Sequence, residues 1–201
     1  MGNRMFEEML KPAKEWLKGR NPNEIARRAG VQFDESRSEF RFSGLNQEIC
    51  ISWPNLEIRS ELSDWHRLVM LHYLHLADGI SLHDDWIALG SMRDGMIRGG
   101  DFDAQCAQEL ARILKDRTED ELWKVFEALG GRMVDSNADL CAVLPFLPRF
   151  PLMLKVWLAD DEMDVSVRLL VNGAADHYLT VEDAVTVGSI VLETLKCRLG
   201  C

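Results

Sequence analysis

The sequence predicts an α+β fold, with an antiparallel sheet made of a three-stranded meander and a second hairpin packed against about six helices. Three observations carry this expectation. Apolar residues recur at helical spacing in separate stretches along the chain, they switch to strict alternation within residues 39–59 and 151–169, and turn-forming residues punctuate the switches. Strands gathered into hairpins, with helices between and after them, favour antiparallel pairing over a parallel βαβ arrangement.

In the first stretch Met5, Phe6, Met9, Leu10, Ala13, Trp16 and Leu17 share one helical face, with Arg4, Lys11, Lys14, Glu15 and Lys18 opposite. Residues 1–20 are therefore predicted to form an amphipathic segment docked on the rest of the chain, which Pro12 either kinks or divides. Asn21-Pro22-Asn23-Glu24 supplies an N-cap, a proline at the first helical position and an early acid, so residues 22–29 form a short helix closed by Gly30. Phe40 and Phe42, then Ile49, Ile51 and Trp53, then Leu56 and Ile58 alternate with polar residues, and Ser43-Gly44-Leu45-Asn46 and Pro54-Asn55 turn one run into the next. These runs are the expected meander.

Helical spacing returns at residues 61–77, at about 101–115, and at 118–129 behind the capping box Thr118-x-x-Glu121. Three prolines force residues 144–151 to be extended. Leu152, Leu154, Val156 and Leu158, then Val165, Val167 and Leu169, form the second hairpin across the acidic link Asp160-Asp161-Glu162-Met163. A last helix, 181–198, opens at Thr180-x-x-Asp183.

The chain of 201 residues suits one globular domain spanning 1–201. Acids number 33 against 23 bases, giving a net charge of −10 that repels phosphate backbones and steers cations. The first 31 residues are the exception, carrying Arg4, Lys11, Lys14, Lys18, Arg20, Arg27 and Arg28 against Glu7, Glu8, Glu15 and Glu24. No nucleic-acid partner is expected. The start has no basic region followed by an apolar one, and no window approaches the roughly 18 apolar residues of a membrane span. Five scattered cysteines, without a C-x-x-C pair, read as reduced thiols of a cytoplasmic protein.

The landmarks NPNEIARRAGVQFD, LHYLHLADG, WIALG, LPRFPL, DDEMD and VNGAADHYLTVEDA, in this order and spacing, resemble the family called domain of unknown function 3786 from about Asn21 onward. The resemblance implies a protein of anaerobic bacteria or archaea, some of whose relatives carry an iron–sulfur module or accompany corrinoid-dependent one-carbon chemistry. It supplies no catalytic residues. This chain has Glu162-Met163-Asp164 where the family pattern has Glu-Phe-Pro, and Leu170-Val171-Asn172 where it has Leu-Phe-Asp. It also lacks the cysteine-rich module, so no iron–sulfur cluster is expected.

Chemistry-bearing residues concentrate around Leu71-His72-Tyr73-Leu74-His75. On a helix, Trp65, Leu68, Val69, His72, His75 and Leu76 fall within one arc. Two imidazoles at i, i+3 can share a metal or bracket a ligand, with His66, Asp78, His83, Asp84 and Asp85 as the nearest further donors. The same histidines equally suit core positions whose ring nitrogens meet backbone carbonyls. Six Trp and nine Met suit an adaptable apolar pocket, or simply a core.

With the family's corrinoid associations, these residues lead to the expectation of a non-enzymatic module holding a bulky apolar or metal-containing cofactor, such as a corrinoid, haem or other tetrapyrrole. Its contacts would be His72, His75, Trp65, Tyr73 and His83, with His72 and His75 as metal ligands. Two alternatives stand beside it. One is a small-molecule enzyme using His83 with Asp84 or Asp85, or Asp161 and Glu162, in acid–base work. The other is a subunit that recruits a protein partner through the N-terminal amphipathic segment.

The remaining clusters are weaker. Asp160-Asp161-Glu162-x-Asp164 lacks the spacing of a calcium loop. Arg98-Gly99-Gly100-Asp101 ahead of a helix lacks the glycine pattern of a nucleotide site, so no nucleotide is expected. Cys197 and Cys201 lie one helical turn apart at the frayed end.

Overall fold

A computed structural model of the protein describes residues 4–96 and 98–200, with backbone alone for Arg4 and Met5; Cys201 and the first three residues of the amphipathic segment lie outside the described residues. Helix α1 (Arg4–Leu17) runs through Pro12 as one helix. It buries Phe6, Leu10, Ala13 and Leu17 and leaves Met9 and Trp16 partly exposed. Asn21 then caps α2 (Pro22–Ala29) by accepting from the amides of Asn23 and Glu24, and Gly30 ends it in the left-handed conformation at φ 67°.

A three-stranded antiparallel sheet follows, from β1 (Gln32–Asp34), β2 (Glu39–Gly44) and β3 (Gln47–Ser52), in that spatial order. The meander exists, but its third member differs from expectation. The runs at Phe40–Phe42 and Ile49–Ile51 are β2 and β3, whereas residues 56–58 contribute a single bridge, Ile58 to Ile51. Leu56 has φ 57°, which breaks extended geometry there. The far side of β2 is taken instead by β1, where Phe33 opposes Phe40 with ring centroids 5.1 Å apart.

After α3 (Asp64–Leu76), capped by Ser63, the chain forms β4 (Trp86–Ile87), a 3-10 turn at Leu89–Ser91, α4 (Arg98–Leu114) and α5 (Glu119–Ala128). Arg98-Gly99-Gly100-Asp101 is thus the first turn of α4 and not a loop ahead of it. Asp103 in α4 accepts from the amides of Leu89 at 3.1 Å and Gly90 at 2.8 Å, tying the 3-10 turn to the helix.

The second hairpin grows into a five-stranded antiparallel sheet, because β7 (Phe150–Trp157) and β8 (Ser166–Asn172) are joined by β5 (Arg132–Met133), β6 (Leu140–Leu147) and β4 in the order β4-β8-β7-β6-β5. The extended proline segment is the end of β6 and its turn into β7. Pro145 is tolerated within β6 because the register shifts between Leu144 and Leu147, a bulge where a missing amide breaks no ladder bond.

The two sheets meet at β2 and β6, where the Leu45 amide donates to the Pro145 carbonyl at 2.8 Å. A side chain on Gly44 would collide with the Phe146 carbonyl there, so this close approach requires glycine. Helix α6 (Val181–Leu199), with its Thr180/Asp183 capping box, packs against α3 and α4, and α4 lies on β8. One continuous cluster of buried apolar side chains links all of these elements. Among the described residues no helix is long and apolar enough to cross a membrane, and four cysteines are free thiols.

Candidate functional site

The apolar arc of α3 is where the histidines sit. Leu68 and Val69 are buried, His72 and His75 half-buried, and Trp65 is 51% exposed. Seven residues are close to two helical turns, so Trp65 and His72 lie on one line along the helix. Helix α1 packs against α3 along this line. Phe6 meets Trp65 edge-on at 6.1 Å, and the Trp16 ring lies 5.6 Å from His72 and stacks on His75 at 4.9 Å.

His72 is oriented from α6. Its Nδ1 lies 2.7 Å from Oδ1 of Asp183, a residue 111 positions away. The other carboxylate oxygen completes the capping box with the hydroxyl and amide of Thr180, so both oxygens of this buried acid are engaged. With Nδ1 donating to the carboxylate, Nε2 is the ring nitrogen left to act as a ligand.

His75 has a different environment. Nη1 of Arg20, just beyond α1, donates to His75 Nδ1 at 3.2 Å and to the His75 carbonyl at 3.0 Å. Burial first, then the Arg20 charge and His72, hold its pKa below the ordinary imidazole value. The neutral ring thus carries its hydrogen on Nε2, and the lone pair that would meet a metal is occupied by the guanidinium. Of the two expected metal ligands, only His72 keeps a free ring nitrogen with a lone pair. Among the described residues no three His, Cys, Asp or Glu side chains gather as a metal-binding group.

The other expected contacts lie elsewhere. Tyr73 is completely buried a hundred degrees round α3, where its hydroxyl donates to the Ala29 carbonyl and accepts from the Arg149 amide at 3.0 Å. Burial pushes its pKa well above the ordinary phenol value. His83 stands in an exposed loop with Nδ1 3.7 Å from Asp85. That loop is held by the buried Asn172, which accepts from the His83 amide at 2.9 Å and donates to the His83 carbonyl at 2.8 Å. Asp161 and Glu162 are exposed between β7 and β8, where Asp160 accepts from the amides of Glu162 and Met163.

A groove of about 500 Å³ opens beside Trp65, walled by Val185, Ser189 and Ile190 of α6 and edged by Ser63, Thr186 and Glu193. It lies on the seam between α3 and α6 that also holds the His72–Asp183 pair. Asp183, Trp16 and Arg20 complete the site and were not among its expected residues. The Thr180-x-x-Asp183 cap located Asp183 without showing that its second oxygen faced a histidine.

An α+β protein with a carboxylate-oriented histidine on an aromatic helix face is the class defined by this geometry. The chain belongs to the domain of unknown function family DUF3786, whose model matches residues 21–194. No curated protein and no solved structure shows a significant match to it.

Proposed function

We propose that the protein is a non-enzymatic binding module for a bulky metal-containing cofactor, a corrinoid or other tetrapyrrole, with Nε2 of His72 as the ligand to its metal. The 2.7 Å contact between His72 Nδ1 and Asp183 carries this reading. A carboxylate on the far nitrogen fixes the tautomer and raises the basicity of the ligating one. The family's corrinoid associations agree with it.

The residues fit such a group in donor chemistry: one imidazole whose Nδ1 is taken by Asp183 so that Nε2 is left as the ligand atom, with Trp16 and Trp65 on the same face, each about half exposed. The groove beside Trp65 presents Val185 and Ile190 of α6 opposite the indole, an apolar strip in keeping with the face of a macrocycle. Trp16 and Arg20 cover the His75 end, which directs a ligand toward the Trp65 end. When bound, such a group supplies one-carbon or electron-transfer chemistry to a partner; this chain supplies the ligand, its orientation and the apolar wall.

Titrating purified protein with hydroxocobalamin and with haemin should shift the absorption spectrum of at least one of them. His72→Ala should abolish the shift, and Asp183→Asn should weaken binding by about tenfold or more. Featureless titrations with both overturn the proposal. The His72–Asp183 pair also has the form of an oriented general base, which favours an acid–base enzyme as the second reading. The exposed His83, Asp161 and Glu162 have no comparable arrangement.

A further inference from the structure

A second cavity lies at the same start of α3, next to the groove beside Trp65, with which it shares Ser63, Ile190 and Glu193; neither His72 nor Asp183 lines it. It measures about 500 Å³, between the β2–β3 turn, the start of α3, the end of α5 and the last turns of α6. Leu62, Leu129 and Ile190 give it apolar walls, while Glu61, Glu193 and Arg198 edge it from exposed positions. The Gln47 side chain donates to the Glu61 carbonyl at 3.3 Å and ties the turn to this edge.

His66 lines the same cavity and is only 9% exposed. Its ring stacks on Phe146 at 5.2 Å, and its Nε2 is buried without a hydrogen-bond partner among the described residues. Packing does not explain a histidine here, since a phenylalanine would stack equally well and leave no polar atom unpaired. Burial pushes its pKa down to about 4, so the ring is neutral at pH 7 and does not repel a cation.

We propose that this cavity binds a small organic cation, with an aliphatic chain on the apolar walls and an ammonium group held between the His66 imidazole and the Glu61 and Glu193 carboxylates. Two carboxylates outnumber the one guanidinium at the edge, and the net charge of −10 draws cations toward the surface. An ammonium group has the three donors needed to meet a neutral imidazole and two acids together.

The probe is 1,5-diaminopentane, followed by isothermal titration calorimetry and by the nitrogen chemical shifts of His66; glutarate, of the same length and opposite charge, is the comparison. The diamine should bind saturably and move the His66 resonances, and glutarate should do neither. His66→Phe and, separately, the surface change Glu193→Gln should each weaken diamine binding by about tenfold, while His72→Ala should leave it unchanged. Absence of a saturable His66 shift, equal affinity in His66→Phe, or preference for glutarate each overturns the proposal.

Discussion

Acidification should destabilise this protein in part through one buried side chain. His66 is buried with a folded-state pKa of about 4, against 6.5 for the free imidazole, and burial is the cause. The unfolded chain therefore takes up a proton at a pH where the folded chain still refuses it. Stability is full above pH 6.5, falls as pH drops below that value, and stops falling on this account below about 4. Between pH 7.5 and 4.5 the linkage amounts to roughly 2–3 kcal/mol, a large share of a stability of roughly 5–15 kcal/mol.

The assay is urea unfolding of the wild type and of His66→Phe at pH 7.5, 6.0, 5.0 and 4.5. The variant keeps the stacking partner of Phe146 and removes the titrating group. His75 and the carboxylates titrate in both proteins and cancel in the difference. The wild type should lose roughly 2–3 kcal/mol relative to the variant across this range. Parallel decline of the two unfolding free energies would refute the assignment of that proton to His66.

Three further outcomes follow from packing and hydrogen bonding. Tyr73→Phe strands the Ala29 carbonyl and the Arg149 amide in the interior and should cost about 1–3 kcal/mol in urea unfolding. Gly188→Ala places a methyl group against the Phe102 ring between α6 and α4, and should lower the thermal midpoint through about 1–3 kcal/mol of overpacking; an unchanged midpoint would show that the ring yields freely. Asn172→Asp removes the donor to the His83 carbonyl and buries a carboxylate. It should speed amide hydrogen exchange in residues 80–86 at pH 7 and do so less at pH 5, where a protonated acid can donate again.

Local signals in the sequence located most of the elements. Thr118-x-x-Glu121 and Thr180-x-x-Asp183 are capping boxes in the structure, and Asn21-Pro22 opens α2 as its residue types require. Strand β6 was harder, because Leu140–Leu147 is almost entirely buried and so lacks the alternation of a half-exposed strand, and Pro145 reads as a break. Strands β1, β4 and β5 are two or three residues long, too short for any period to register.

At the candidate site, the shared face of His72 and His75 was legible from their spacing alone. Their partners were not. Asp183 lies 111 residues from His72 and Arg20 lies 55 residues from His75, and only the packing of α6 and α1 on α3 brings them together. Tyr73 sits beside His72 in the chain, yet a hundred degrees of helical turn sends it into the core, so adjacency in sequence was a poor guide to membership.

The two-residue strands β4 and β5 have a consequence for how this protein behaves in concentrated solution. They stand at the two ends of a sheet whose middle strands, β6, β7 and β8, are long and largely buried. A passing chain meets short strands there, Trp86–Ile87 beside Val171 and Asn172 and Arg132–Met133 beside Ala142 and Val143, while Ser166–Leu170 of β8 have no strand paired to them on the β4 side. Of the long strands, β7 is kept off the rim by β6 and β8 on its two sides. Aggregation through β7 should consequently track loss of the folded state, setting in at the pH and temperature where the sheet itself comes apart.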